Sequence, residues 1–262
     1  MRNGSTLALT AIGLVWVIVA LSACGPRQTP KSVMIIAIEG LDHGHSICRG
    51  EREYREYSGF DEICKEAIRF SHVFTNSMQS SPAVASLFTG KTSSQSSFRS
   101  EGDYLRAEEK TLAEVAIDNG FRTAFFSGGP PLLRRTGLHQ GFEVFEDSLD
   151  IAGDLPLRPL PKLLSLFKTW KSEIDQKPFF VVFYVPDLLF LKRRTKTVFG
   201  ESRSLSFDSQ YDELDENTFE LVKYLKDEKI WDSTFLMVTG LSGAISNSRQ
   251  VEIFPQYVRD AL

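Results

Sequence analysis

Three stretches of the chain are almost unbroken in apolar character: residues 32–39 (SVMIIAIE), 178–185 (PFFVVFYV) and 233–239 (STFLMVT), and the more mixed residues 121–127 (FRTAFFS) also predict a strand. Short runs of Val, Ile, Met and Phe suit strands covered on both faces of a parallel sheet. Residues 68–74 alternate apolar and polar and predict a further strand, and residues 141–145 a short one. Helical spacing fills the gaps. Phe60, Ile63, Cys64 and Ala67 predict an amphipathic helix over 60–67. Thr111-Leu112-Ala113-Glu114 is a capping box whose helix ends at Asn119-Gly120. A Pro-rich stretch over 155–161 leads into a helix over 163–174. Leu214, Leu221, Val222 and Leu225 mark the apolar face of a long helix over 211–229, after a polar stretch at 193–210. Strands alternating with helices predict an α/β fold, a mostly parallel sheet flanked by helices. No internal repeat is present.

The N-terminus follows a different logic. Arg2 precedes an apolar run from Leu7 to Leu21, then Ser22-Ala23-Cys24-Gly25. A basic start, an apolar stretch and small residues before a cut describe a secretory signal. The Leu-Ser-Ala-Cys ending resembles a bacterial lipobox, which implies cleavage before Cys24 and a lipid on its sulfur. The other reading is an uncleaved anchor, since the run is close to the shortest span of a bilayer, about 17 residues. The expected layout is a lipoprotein signal peptide over 1–23, a tether over 24–31 with Pro26 and Pro30, and a folded domain over 32–262. The expected location is the bacterial cell envelope, lipid-anchored and periplasmic or on the cell surface.

Charge narrows the partners. A formal net charge of −4 with well-mixed signs points to neither nucleic acid nor anionic lipid. Cys48 and Cys64 could pair in an oxidising compartment or remain two free buried thiols.

Candidate chemistry centres on Ser80-Ser81-Pro82-Ala83-Val84-Ala85-Ser86-Leu87-Phe88-Thr89-Gly90. Pro is favoured in the first turn of a helix and Gly at its end. Ser80 is therefore expected at a helix N-terminus, where unpaired N–H groups and the dipole favour phosphate or sulfate. Glu39 ends the first strand, and Gly40-Leu41-Asp42-His43-Gly44-His45 follows at the sheet edge where α/β proteins place their sites.

The order of these segments resembles the sulfatase and alkaline-phosphatase superfamily over most of the chain. IEGLDHGHSICRG stands where many members have VDTLRADHLGCYG, with Glu39 on the first Asp and His45 on the His. FDEICKEAIRF resembles LDRLAAEGVRF, and SSPAVASLFTG resembles TLPSHASLFTG and CTPSRASLLTG. TLAEVAIDNGFRTAFFSGG, GLHQGFEVFED, PFFVVFYV and YLKDEKIWDSTFLMVTG fit the segments that follow. The resemblance implies an alkaline-phosphatase-like sheet and a Ser, Thr or formylglycine nucleophile. It also implies one or two divalent metals, which hold that nucleophile and neutralise the transferring group.

Carried over residue by residue, the resemblance makes Ser80 the catalytic nucleophile position and Glu39 a metal ligand. Lipoteichoic-acid synthases and phosphoethanolamine transferases of the superfamily also resemble this chain in having Glu there. Val84 stands where the formylglycine signal has Arg, so Ser80 is not expected to be converted. Gly240-Leu241-Ser242-Gly243-Ala244 stands where the family has Ser-Asp-His-Gly-Glu, and Asp187-Leu188-Leu189 where it often has Asp-Pro-His. The chain ends at Leu262, before the family's smaller C-terminal subdomain. Loss of two direct ligands should abolish an ordinary metal site, since loss of supporting groups alone costs about 10–100-fold. Without activating partners Ser80 is expected to serve as a helix cap, a role that contributes about 1 kcal/mol. Glu39, Asp42, His43 and His45 form a candidate ligand cluster on one loop. His72 and His139 are expected to be structural or surface residues, and the apolar run 188–191 either continues a buried strand or forms an exposed patch.

The expected function is a membrane-tethered, catalytically inactive sulfatase-like domain with a binding or scaffolding role toward an anionic glycan or envelope lipid. No cofactor is expected. The rival expectation is an active sulfuric- or phosphoric-ester hydrolase or transferase that uses Ser80 and a divalent cation.

Overall fold

The computed structural model describes residues 31–41, 48, 57–148, 157–192, 195–196, 202–203 and 207–243. Its axis is β1 (Ser32–Gly40), which pairs in parallel with β4 (Phe179–Val185) on one side and β7 (Thr234–Gly243) on the other. β2 (Arg122–Ser127) and β3 (Val144–Glu146) extend the sheet beyond β4 in the order β3-β2-β4-β1-β7, all parallel. Two-residue strands β5 (Thr195–Lys196) and β6 (Ser202–Arg203) make a separate antiparallel pair.

Strand parity divides the core into two apolar layers. Met34, Ile36 and Ile38 face one way with Val181, Phe183, Ala124 and Phe126. They pack with residues of α1 (Gly59–Cys64), α4 (Leu160–Glu173) and α5 (Phe207–Asp227). Ile35 and Ala37 face the other way with Phe180, Val182, Tyr184 and Phe125, toward α2 (Ser80–Thr89) and α3 (Leu112–Asp118). Every residue of β4 is buried. That explains its continuous apolar sequence, since both faces of the strand are covered.

Local signals account for several boundaries. Thr111 and Glu114 close the reciprocal capping box at the start of α3. Gly90 takes a left-handed φ of 68° at the end of α2, a conformation that favours glycine. α4 starts at Leu160, three residues before its expected start, because Pro161 sits in the first turn, where its missing N–H costs nothing. α5 likewise starts at Phe207, with Gln210 and Tyr211 buried.

Two expectations fail. The helix expected over 60–67 stops at Cys64: a turn follows, Glu66 N donating to Ile63 O at 3.3 Å, and Ala67 is exposed. The strand expected over 68–74 does not form, and Ile68, Phe70, Val73 and Phe74 are all exposed. Alternation supplies a face to bury, but a strand also needs a ladder partner, and no strand of the described sheet pairs with this segment. Cys48 and Cys64 are joined in a disulfide with Cα atoms 5.3 Å apart, which resolves the alternative left open by the sequence. Leu188 is buried in a 3-10 turn (Asp187–Lys192), neither strand nor exposed patch.

Candidate functional site

Because the five strands run parallel, their C-terminal ends share one edge of the sheet, and Glu39 lies there at the end of β1. It is 4 % exposed. By parity it follows Ile35 and Ala37 on the face that carries α2. The pairing of β1 with β7 runs regularly to Ile38–Gly240 and resumes at Gly40–Gly243, so β7 has one extra residue there. Leu241 and Ser242 thus stand on the neighbouring strand beside Glu39. Leu241 is buried in the apolar cluster of Ala37, Val84, Ala85 and Phe88. Gly240 is required by close approach, since a Cβ there would lie 2.1 Å from the Leu41 carbonyl oxygen.

α2 points its N-terminus at the same edge. Ser81, Val84, Ala85 and Phe88 form its buried stripe at helical spacing. Ser80 is half-buried at the first position of the helix. It is not the cap. Gln79 occupies the N-cap position and makes no side-chain capping bond. The capping role falls instead to Glu101, whose Oε1 accepts from Ser81 N at 2.8 Å, while Glu101 N donates to Gln79 Oε1 at 3.1 Å. A carboxylate satisfies an orphan amide and the helix dipole together, which a serine hydroxyl in the helix's own first turn cannot do.

Tyr184 links the two sequence-predicted residues. Its hydroxyl donates to Glu39 Oε2 at 3.4 Å and lies within hydrogen-bonding reach of the Ser80 hydroxyl. The ring is fully buried. Burial first, and then the nearby charges of Glu39 and Glu101, push the phenol well above its ordinary range, although the Ser80 contact works the other way. Tyr184 therefore keeps its proton: it can donate to an oxyanion but cannot take a proton from Ser80. Neither Tyr184 nor Glu101 was singled out in the sequence. Tyr184 reads as one more residue of an apolar strand, and Glu101 meets Ser81 from twenty positions on, across the rest of α2 and the polar loop that follows it.

The remaining candidates scatter. Asp187, after β4, is 6 % exposed and both its carboxyl oxygens accept from Leu160 N at 3.1 Å, so it caps α4. Burial raises its pKa to about 7, against the pull of the Leu160 hydrogen bond and with help from the charge of Glu213. His72 bonds Ser71 Oγ and His139 bonds Arg134 O, both locally at the surface. Cys24, Asp42, His43 and His45 lie outside the described residues. Among the described residues no three His, Cys, Asp or Glu side chains gather as a cation site. Glu39 contributes one carboxylate, and the residue standing beside it on β7 is apolar. The described residues therefore do not fit a divalent ion, which needs several hard ligands.

Residues 31–243 match the family model described as Sulfatase. Among solved structures, a protein in the alkaline phosphatase superfamily from Vibrio parahaemolyticus is similar with a TM-score of 0.57 and 16% identity, over 87% of this chain and 58% of that one. A phosphonate monoester hydrolase of Agrobacterium radiobacter gives 0.57 and 16%, over 80% and 62%. A lipoteichoic acid synthase from Listeria monocytogenes gives 0.57 and 16%, over 86% and 59%. The chain thus spans about three fifths of the length of these structures. No curated protein matches the sequence.

Proposed function

We propose that this chain, which belongs to the sulfatase family, is a catalytically inactive member that works by binding or scaffolding at the bacterial cell envelope, held to a membrane by a lipid on Cys24. The observation that carries the reading is Leu241. An apolar side chain, integrated into the core with Val84 and Phe88, stands beside Glu39 where the family resemblance places a metal-binding carboxylate. Converting such a position back would require burying a charge in an apolar cluster, which is costly without a paired ion.

The surroundings of Ser80 support the same reading. Its hydroxyl meets a phenol that keeps its proton, whereas a serine nucleophile needs a base or a metal to activate it. The Cys48–Cys64 bridge supports an oxidising compartment outside the cytoplasm. An anionic glycan or envelope lipid is the proposed ligand class. It would meet the protein away from Glu39 and Glu101, whose carboxylates repel an anion at the former nucleophile position. The net charge of −4 weighs against nucleic acid.

The test is turnover. Purified protein is assayed on aryl sulfate, phosphate monoester and phosphate diester substrates with Mg, Ca, Mn or Zn supplied in turn. The expected rate equals that of Ser80→Ala. Turnover that disappears in both Ser80→Ala and Glu39→Ala would establish the rival reading, a metal-dependent hydrolase or transferase.

A further inference from the structure

We propose that Glu101 is a built-in anion: its carboxylate occupies the N-terminal end of α2 beside Ser80 and excludes free sulfate or phosphate from that position. Three observations carry this. The Glu101 carboxylate accepts the Ser81 amide at 2.8 Å, one of the orphan donors at a helix start that would otherwise face an incoming anion. Tyr184, the hydroxyl donor between Ser80 and Glu39, lies close enough to sense the Glu101 charge. Finally, Glu101 has no cationic side-chain partner among the described residues, so the helix end is what holds it.

The segment that delivers Glu101 is firmly built. Phe98 and Leu105, on either side of it, are completely buried in the apolar layer of α2. Asp103 accepts from Arg99 N and Ser100 N at 2.9 Å each, closing the turn that presents Glu101. Glu109 ties the base of the loop by accepting from Ser97 N at 2.6 Å and from Lys91 Nζ at 3.2 Å. Gln79 fixes the Glu101 backbone from the helix side at 3.1 Å. An anion placed by such a preordered strap competes at a high effective concentration, on the order of millimolar or above. A free oxoanion held by helix amides alone cannot displace it at ordinary concentrations.

This inference rests on reading α2 as the helix of the former nucleophile and goes beyond the inactive reading by naming what fills its end. The probes are inorganic sulfate and inorganic phosphate, with chloride at matched ionic strength as control. Binding is followed by thermal shift and by the NMR resonance of the Ser81 amide. The unsubstituted protein is expected to show no saturable binding. Glu101→Gln, nearly the same shape without the charge, is expected to gain affinity by about tenfold or more, with the Ser81 amide moving during the titration. Gln79→Ala, an exposed position that only loosens the strap, should give a smaller gain at the same amide. The assignment is overturned if neither variant binds better than the unsubstituted protein, or if binding leaves the Ser81 amide unmoved. Ester turnover by the unsubstituted protein would instead overturn the inactive reading, so the two failures are distinguishable.

Discussion

Asp187 gives the sharpest quantitative test of the structure. It is buried, it caps α4 through Leu160 N, and its pKa is raised from 3.8 to about 7 by burial. The sign follows from proton counting. Between about pH 4 and pH 7 the folded state keeps this proton and the unfolded chain releases it, so stability falls as pH rises through that window and levels off above it. The interval of roughly 3 pK units, at 1.36 kcal/mol each, corresponds to about 4 kcal/mol lost between pH 4 and pH 8. Asp187→Asn keeps an oxygen for the Leu160 amide but carries no titrating proton. The variant should therefore match the parent near pH 4 and become more stable by up to about 4 kcal/mol at pH 8. The assay is urea unfolding followed by tryptophan fluorescence, to which Trp170, buried on α4, contributes. The difference between the two profiles isolates Asp187 from the other carboxylates. Parallel profiles from pH 4 to pH 8 would refute the raised pKa of Asp187 and the burial that causes it.

Gly240→Ala should cost about 1–3 kcal/mol, because its Cβ would meet the Leu41 carbonyl oxygen at 2.1 Å and push β7 away from β1. A fall in melting temperature, accompanied by amide shifts around Glu39, checks it. Replacing Cys48 and Cys64 together with Ser should destabilise the protein by about 3 kcal/mol, the value expected for a loop near this length, since the bridge closes 16 residues. Comparing unfolding of the parent with and without reductant measures the same quantity.

The central sheet was readable because burial on both faces leaves a continuous apolar signature, as in β4, and the capping box of α3 is a local code carried by Thr111 and Glu114. Residues 68–74 show where that reading stops. Ile68, Arg69 and Phe70 begin like a strand before the alternation breaks at His72 and Val73, yet pairing is decided by a neighbour that local sequence does not specify. The site divides in the same way. Glu39 and Ser80 were recognisable from their places at the end of a strand and the start of a helix. Tyr184 was not, because only the register of β4 against β1 and the shared face put its hydroxyl on Glu39. Glu101 was harder still: its role depends on a loop whose own anchors, Phe98 and Leu105, are set by tertiary packing.

The wrong expectation for Ser80 has a cause that reaches past one residue. A helix start needs its orphan amides satisfied whether or not a ligand is present. In an enzyme the substrate or a metal-bound group can share that duty, so losing the ligands of a metal would leave the start of α2 both unpaired and electropositive. On the inactive reading proposed above, Leu241 fills with carbon the place where the family resemblance puts a metal ligand, and Glu101 gives the start of α2 a carboxylate. The two would then compensate one another physically: without a cation there is less to draw an anion in, and Glu101 supplies an anion to the amides. On that reading the edge of the sheet is satisfied from within.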